Sequence, residues 1–368
     1  MKINILLPYK EKFDENKASS VSITVKNNLS YTKFLGHIKV YGQNVEKPLF
    51  KDNFQGIKYS IFSFKSKNAF LAHKMLKMMS KENLDKQLIE IHNRPYLIEK
   101  IAKNSNYPIT LFLHNDPQTM KGSKLVRDRK KILKKCEAVF CVSEYVKNKF
   151  LEGILINKEK VHVLYNGVNR QLKKFPTKKK EILFVGRLVA EKGVDLYVDV
   201  VENIAKNFPD WTFELIGSFR LGDNKNKDTF ANNLIKKFKK ISSQTKFHGF
   251  KNQAFIQKKM KTASIIVIPS RWAEPFGLVA AEAMSNGIGI IASDVGGIPE
   301  IVKANGVLIQ DINKQKIEYA LTDLMSDHTK RKNLQRMSWD NFKLSAKKSS
   351  EKLDFYREMI SSKYFVDD

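Results

Sequence analysis

Short apolar runs alternate with longer stretches of helical period along most of the chain. In the first half the candidate strands are Ile3–Pro8, His37–Tyr41, Leu88–His92, Ile109–His114, Ala138–Val142 and Val161–Tyr165. In the second half they are Ile182–Val185, Thr212–Ile216, Thr245–His248, Ser264–Pro269, Ile288–Ala292 and Gly306–Ile309. Strand followed by helix followed by strand predicts parallel α/β sheets, one in each half. A chain of 368 residues exceeds one ordinary core and predicts two domains. The polar stretch from Asn169 to Lys180 contains a proline and no apolar period, and reads as the linker between them. Trp339, Phe342, Leu353, Tyr356 and Ile360 read as one long helix from Trp339 to Ile360, outside the second series.

Two stretches carry the candidate chemistry. The first runs from Ser270 to Gly287 and includes Glu274-Pro-Phe-Gly277 and Val279-Ala-Ala-Glu-Ala-Met284. Pro275 suits the first helical position, and Gly277 removes a side chain beside the first-turn amides, where a helix end favours an anion. If helix begins there, Glu274 and Glu282 stand about 12 Å apart. That is too far for paired glycosidase carboxylates, which flank one bond at roughly 5–9.5 Å. Two acids so spaced, with amides near the first, match the two hydroxyl-rich ends of a nucleotide sugar. A capping Glu274 and a solvated Glu282 are the alternative, although Glu282 sits on an apolar face where a carboxylate needs a partner.

The second stretch is Phe184-Val-Gly-Arg-Leu-Val-Ala-Glu-Lys-Gly-Val-Asp195. A strand ends near Gly186 and a helix starts near Gly193. Arg187 and Lys192 therefore fall in a loop at a strand's carboxyl end, where open α/β sheets bind ligands and where two cations match a pyrophosphate.

With these motifs the sequence resembles the family 4 glycosyltransferases of the GT-B fold. Asn166-Gly-Val168, Phe247-His-Gly249 and Ser293-Asp-Val-Gly-Gly-Ile-Pro-Glu300 fit the same pattern in order. In the first half, Ile89-Glu-Ile-His-Asn-Arg-Pro95, His114-Asn-Asp-Pro117 and Cys141-Val-Ser-Glu-Tyr-Val-Lys147 are similar to lipopolysaccharide-core transferases. The resemblance implies two Rossmann-like domains facing a cleft: residues 1–170 for the acceptor, completed by a returning C-terminal helix over 340–363, and residues 171–339 for the donor. It implies that Arg187 and Lys192 bind the donor pyrophosphate, with Gly186 beside them. It implies that Glu282 accepts from the ribose and that Glu274 holds the sugar. The amides of Phe276, Gly277 and Leu278 would lie near sugar and phosphate, Phe250 near the base, and His114 against the sugar from the first domain. It further implies a retaining reaction without metal or cofactor, with a UDP- or GDP-type sugar as co-substrate. One departure stands out. The family's glycine-rich loop after the first strand is replaced by Asp14-Glu-Asn-Lys-Ala-Ser-Ser-Val-Ser22, which leaves phosphate or acceptor geometry there open. A cap or core role remains the alternative for His114 and for His92.

Charge and composition narrow the partners. Formal net charge is +28, mostly from lysine, and the scarcity of arginine argues against sequence-specific nucleic-acid binding. Basic stretches with helical spacing, Ser66–Met79 and Lys124–Lys135, predict peripheral attachment to an anionic inner-membrane surface bearing a lipid-linked saccharide acceptor. A core-facing stripe with a solvated lysine face is the competing reading. No apolar run is long enough to span a bilayer and no signal peptide is evident, so the expected location is cytoplasmic. Cys136 and Cys141 have neither metal nor redox spacing and are expected to be buried and inert. A GT-B epimerase or phosphorylase, or a non-catalytic nucleotide-sugar or membrane-binding module, are the rival functions.

Overall fold

The computed structural model describes residues 1–60, 66–82, 84–219 and 229–365. They divide into two compact units: Met1–Gly167 with Leu344–Asp368, and Val168–Lys343.

The first unit is a seven-stranded sheet of β1 (Lys2–Leu6), β2 (Ile38–Gln43), β3 (Phe54–Ile57), β4 (Gln87–His92), β5 (Ile109–Leu113), β6 (Ala138–Cys141) and β7 (Val161–Val163). Their order is β3-β2-β1-β4-β5-β6-β7, and every pairing is parallel. The second unit holds β8 (Lys179–Val185), β9 (Thr212–Ile216), β10 (Thr245–Gly249), β11 (Ala263–Ile268), β12 (Gly289–Ser293) and β13 (Val307–Ile309). Their order is β10-β9-β8-β11-β12-β13, again parallel throughout. Strands of parallel sheets are covered on both faces, which is why Ile265, Ile266 and Val267 of β11 form an unbroken buried run. In each sheet the winding reverses at the middle: between β1 and β4, and between β8 and β11. Ligands of such sheets bind beyond the carboxyl ends of the strands at that reversal.

The structure corrects three expectations. β3 was not anticipated; Phe-Gln-Gly-Ile is four residues long and contains a glycine, so its apolar signal is weak. The stretch from Asn169 to Lys180 is not a free linker. Arg170 lies over the rings of Trp339 and Phe342, at 4.0 and 4.7 Å from their centres. Phe175 meets Trp339 edge-on at 5.8 Å, and β8 already begins at Lys179. The final helical pattern is two helices: His328–Asp340 ends with Trp339 in the second unit, and Ser345 caps a new helix, Ala346–Tyr364, in the first.

That last helix is fastened by charge as well as by apolar contact. Arg357 is buried and makes two hydrogen bonds, of 2.8 and 2.9 Å, to Glu90 on β4. Asp354, one turn earlier, accepts from Arg357 at 3.0 Å and from Thr32 at 2.7 Å. Each buried charge has its partner, the condition under which burial is tolerated. Cys136 and Cys141 are fully buried and unpaired, and burial pushes both thiols up, which keeps them protonated.

Candidate active site

In the second unit, three loops meet at the reversal point: Gly186–Gly193 after β8, Pro269–Gly277 after β11, and Asp294–Gly297 after β12. Two glycines permit the contact. Gly193 has φ +65°, and a Cβ there would lie 1.9 Å from the Pro269 carbonyl oxygen. Gly296 has φ +60°, and a Cβ would stand 2.3 Å from the Glu274 carbonyl oxygen. Both conformations are left-handed, which suits glycine. The next amide, Gly297 N–H, donates to Glu274 O at 2.7 Å.

The two predicted loops converge on one ion pair. Lys192 Nζ donates to Glu274 Oε1, and Ser270 Oγ donates to the same oxygen at 2.6 Å. Both charged side chains are largely covered, at 19% and 13% exposure. Among the described residues nothing bonds Glu274 Oε2. Lys192 also stands 5.5 Å from the centre of the Trp272 ring, whose buried Nε1–H has no partner. Arg187 lies more open to solvent and pairs with Glu191. Arg271, which the motif reading passed over, stitches the loops together. It grips Asp195 with two hydrogen bonds of 2.7 and 2.6 Å, and donates to Ala190 O at 2.7 Å.

The helix after β11 begins at Leu278 and not at Pro275. Gly277, at φ +90°, is its N-cap, and Phe276 is buried before it. Glu274 therefore stands in the turn ahead of the helix, and the straight helical separation of about 12 Å from Glu282 does not apply. Glu282 lies on Leu278–Ser285 and is 5% exposed. Among the described residues its one hydrogen-bond donor is Gln253 Nε2 at 2.5 Å, and burial pushes its carboxyl up to about 7. Gly186 closes β8, donating to Ile216 O at 3.1 Å; Phe250 is half-buried just after β10.

Models of two families cover the chain in succession: Glycosyltransferase Family 4 over residues 37–172, and Glycosyl transferases group 1 over residues 166–338. The chain thus carries a family 4 glycosyltransferase domain followed by a glycosyl transferases group 1 domain. An uncharacterized glycosyltransferase of Methanocaldococcus jannaschii is 31% identical over 59% of this chain and 60% of its own length, so the chain spans somewhat under two thirds of that relative. HepE of Anabaena, solved in complex with UDP and glucose, shares the fold with a TM-score of 0.75 at 19% identity, over 98% of this chain and 100% of that one. WaaG, a glycosyltransferase involved in lipopolysaccharide biosynthesis, shares it with a TM-score of 0.69 at 14% identity, over 96% and 99% of the two chains.

The first unit of this glycosyltransferase carries His114, just beyond β5. His92, the last residue of β4, stacks on it with ring centres 5.1 Å apart, and His92 Nδ1 lies 2.9 Å from His114 Nε2. Burial lowers both imidazoles, His114 to about 4 and His92 well below its ordinary value, with the neighbouring His114 and Arg357 adding to the effect on His92. Both rings are therefore neutral at pH 7, and one ring donates to the other. Asn93, at φ +53°, accepts from the His114 backbone N–H at 2.9 Å. A His-Asn pair at the end of β4 was visible in the sequence; that it braces a histidine 22 residues on was not. The glycine-free loop after β1 is held by side chains instead: Ser19 caps the helix Ser20–Leu29 and donates to Glu11. Burial pushes the Glu11 carboxyl up, against the Ser19 hydrogen bond and the Arg94 charge.

Of the two readings of the basic helices, the structure shows the core-facing stripe. Lys67–Glu82 buries Ala69, Phe70, Leu71, Ala72, Met75 and Met79, and Val126–Lys135 buries Arg129, Ile132 and Leu133. Their apolar stripes face the core. Exposed apolar groups occur nearby instead, at Leu125, Leu155 and Ile156. Arg129 ties their loops together by donating to Lys124 O at 2.8 Å and Glu152 O at 2.6 Å. Among the described residues, no helix is long and apolar enough to cross a membrane, and no three His, Cys, Asp or Glu side chains gather as metal ligands would.

Proposed function

We propose that the enzyme transfers a hexose of mannose or glucose type, with retention and without a metal, from a nucleotide diphosphate sugar to a saccharide acceptor. The observation that carries this is the Lys192–Glu274–Ser270 cluster at the reversal point of the second sheet. A covered lysine offers a fixed positive charge where a departing diphosphate gathers negative charge, the most effective form of electrostatic catalysis. Arg187 reinforces it from the rim. Glu274 Oε2 is left to accept from sugar hydroxyls, with the amides of Phe276, Gly277 and Leu278 beside it. Glu282 receives the ribose, and Phe250 lies near the base. HepE was solved with UDP and glucose, which makes UDP-glucose the first donor to try, with GDP-sugars next.

The test is a panel of UDP-, GDP- and ADP-sugars, read by thermal shift and by slow hydrolysis. A true donor at a hundredfold excess over Kd stabilises the protein by about 2.7 kcal/mol. Failure of every nucleotide sugar in both assays would reject the reading.

For the acceptor, the likeness to WaaG supports lipopolysaccharide core or another lipid-linked glycan. We place the chain on the inner face of the cytoplasmic membrane, held by Leu125, Leu155 and Ile156 among lysines. Liposome flotation at low salt should show stronger binding to anionic than to neutral vesicles, and Leu155→Ser with Ile156→Ser should weaken it. Equal binding to both vesicle types would exclude the attachment.

A further inference from the structure

The helices Gln253–Thr262 and Leu278–Ser285 lie side by side and are joined by three rungs. The first is Gln253 to Glu282, at 2.5 Å. The second is Asn286 to Gln257, at 3.0 Å. Residues 253 and 257, like 282 and 286, are four apart, so each pair lies along one helix face. The third rung is Lys178. Its ammonium donates to Asn286 O at 2.7 Å, Lys261 O at 3.2 Å and Met260 O at 3.3 Å. These carbonyls close the carboxyl ends of both helices, where helix dipoles favour a cation. Burial lowers the Lys178 ammonium to about 7.

The first helix is also pinned from below. Glu214 of β9 is fully buried between Lys259, at 2.7 Å, and His248, at 2.9 Å. Burial pushes its carboxyl up, but its bonds to His248 and Lys259 outweigh that and leave it below its ordinary range. Gln253, the first residue of this helix, is half-buried, so part of its amide remains open to solvent.

We propose that Gln253 is a ribose-recognition residue, paired with Glu282 to take the 2′,3′-diol of the donor, and that Lys178 is the positioning residue that keeps the pair in register. This rests on the nucleotide-sugar reading above. A carboxylate only accepts, so the Gln253 amide must turn its N–H to Glu282 and its carbonyl away. The pair then presents two neighbouring acceptors, Gln253 Oε1 and Glu282 Oε2, to the two hydroxyl donors of a vicinal diol. Without the third rung, three helix-end carbonyls lose their partner, and the first rung is free to shift.

The experiment compares UDP with 2′-deoxy-UDP, and GDP with 2′-deoxy-GDP, by calorimetry on the full chain. Wild type should prefer the ribonucleotide by about tenfold or more, the worth of a hydrogen bond within a charged pair. Gln253→Ala and Lys178→Met should weaken the ribonucleotide more than the deoxynucleotide and so narrow that preference to within about threefold. A purely structural role would weaken both nucleotides equally and leave the ratio unchanged; that result overturns the proposal. Gln257→Ala removes only the middle rung and supplies the same comparison should Lys178→Met fail to fold. A wild type indifferent to the 2′-hydroxyl also overturns the proposal while leaving the donor site intact. Absence of any nucleotide binding rejects the donor reading itself, and this inference with it.

Discussion

Glu274→Gln and Lys192→Ala should each lower turnover by about 10²–10³-fold, the usual cost of removing one preorganised electrostatic group. The two side chains share one hydrogen bond, so they act as a unit. The double variant should therefore fall little below the worse single variant, well short of the product of the two losses. Glu274→Gln keeps an oxygen for Ser270 and for the sugar but loses the charge that fixes Lys192. Its effect should appear mainly in kcat. Lys192→Ala leaves a covered carboxylate with Ser270 as its remaining partner, and should raise KM for the donor as well. Steady-state kinetics on a donor identified from the panel, with melting temperatures as a folding control, measures all three. Wild-type turnover in both single variants would remove this pair from the mechanism.

That Lys192 and Glu274 each stand in a loop just after a strand was legible from βα alternation, whereas their ion pair was not. The apolar runs of β8 and β11 are strong, so the loops between strand and helix were bounded to within a few residues. What escaped the sequence depended on contacts across long separations. Arg271 gripping Asp195 links positions 76 apart, and neither residue stands out from its neighbours. Lys178 sits among lysines in a stretch that reads as a solvated linker, yet it alone turns inward onto three carbonyls. The basic helices left two readings open for a related reason. An amphipathic stripe records that a face is covered, and cannot say whether core or lipid covers it. The helix break at Asn341–Ser345 was hidden because Trp339 and Phe342 continue the apolar spacing up to the capping serine.

Glu282→Gln should act in opposite directions on stability and on binding. Burial raises the Glu282 carboxyl to about 7 from its ordinary value of 4.5. A carboxyl whose folded pKa lies above its unfolded one contributes stability that is complete below the unfolded value and lost as pH rises through the folded one. At pH 8 the wild type therefore carries a buried carboxylate at a cost of roughly 3 kcal/mol. Glutamine, similar in shape and uncharged, escapes that cost. The variant should melt higher at pH 8, by about 2–4 °C per kcal/mol for a unit of this size, and the gain should fade towards pH 5. Nucleotide binding should move the other way. The ionised carboxylate is the better acceptor for ribose hydroxyls, so wild-type affinity for the donor should rise between pH 6 and 8, with release of a proton on binding. The pyrophosphate of a nucleotide sugar carries no proton that titrates in this range, so the rise would report the protein. Glu282→Gln should flatten that profile and cost about 10²-fold in affinity, in line with the loss of charge-assisted hydrogen bonds. Melting curves at pH 5 and 8, with calorimetry in buffers of different ionisation heat, separate the two effects. A pH-independent affinity in wild type, or a variant no more stable at pH 8, would mean that Glu282 is not the buried acceptor whose desolvation the bound ribose offsets. Such a trade of stability for binding is what a carboxylate kept dry for a ligand should display.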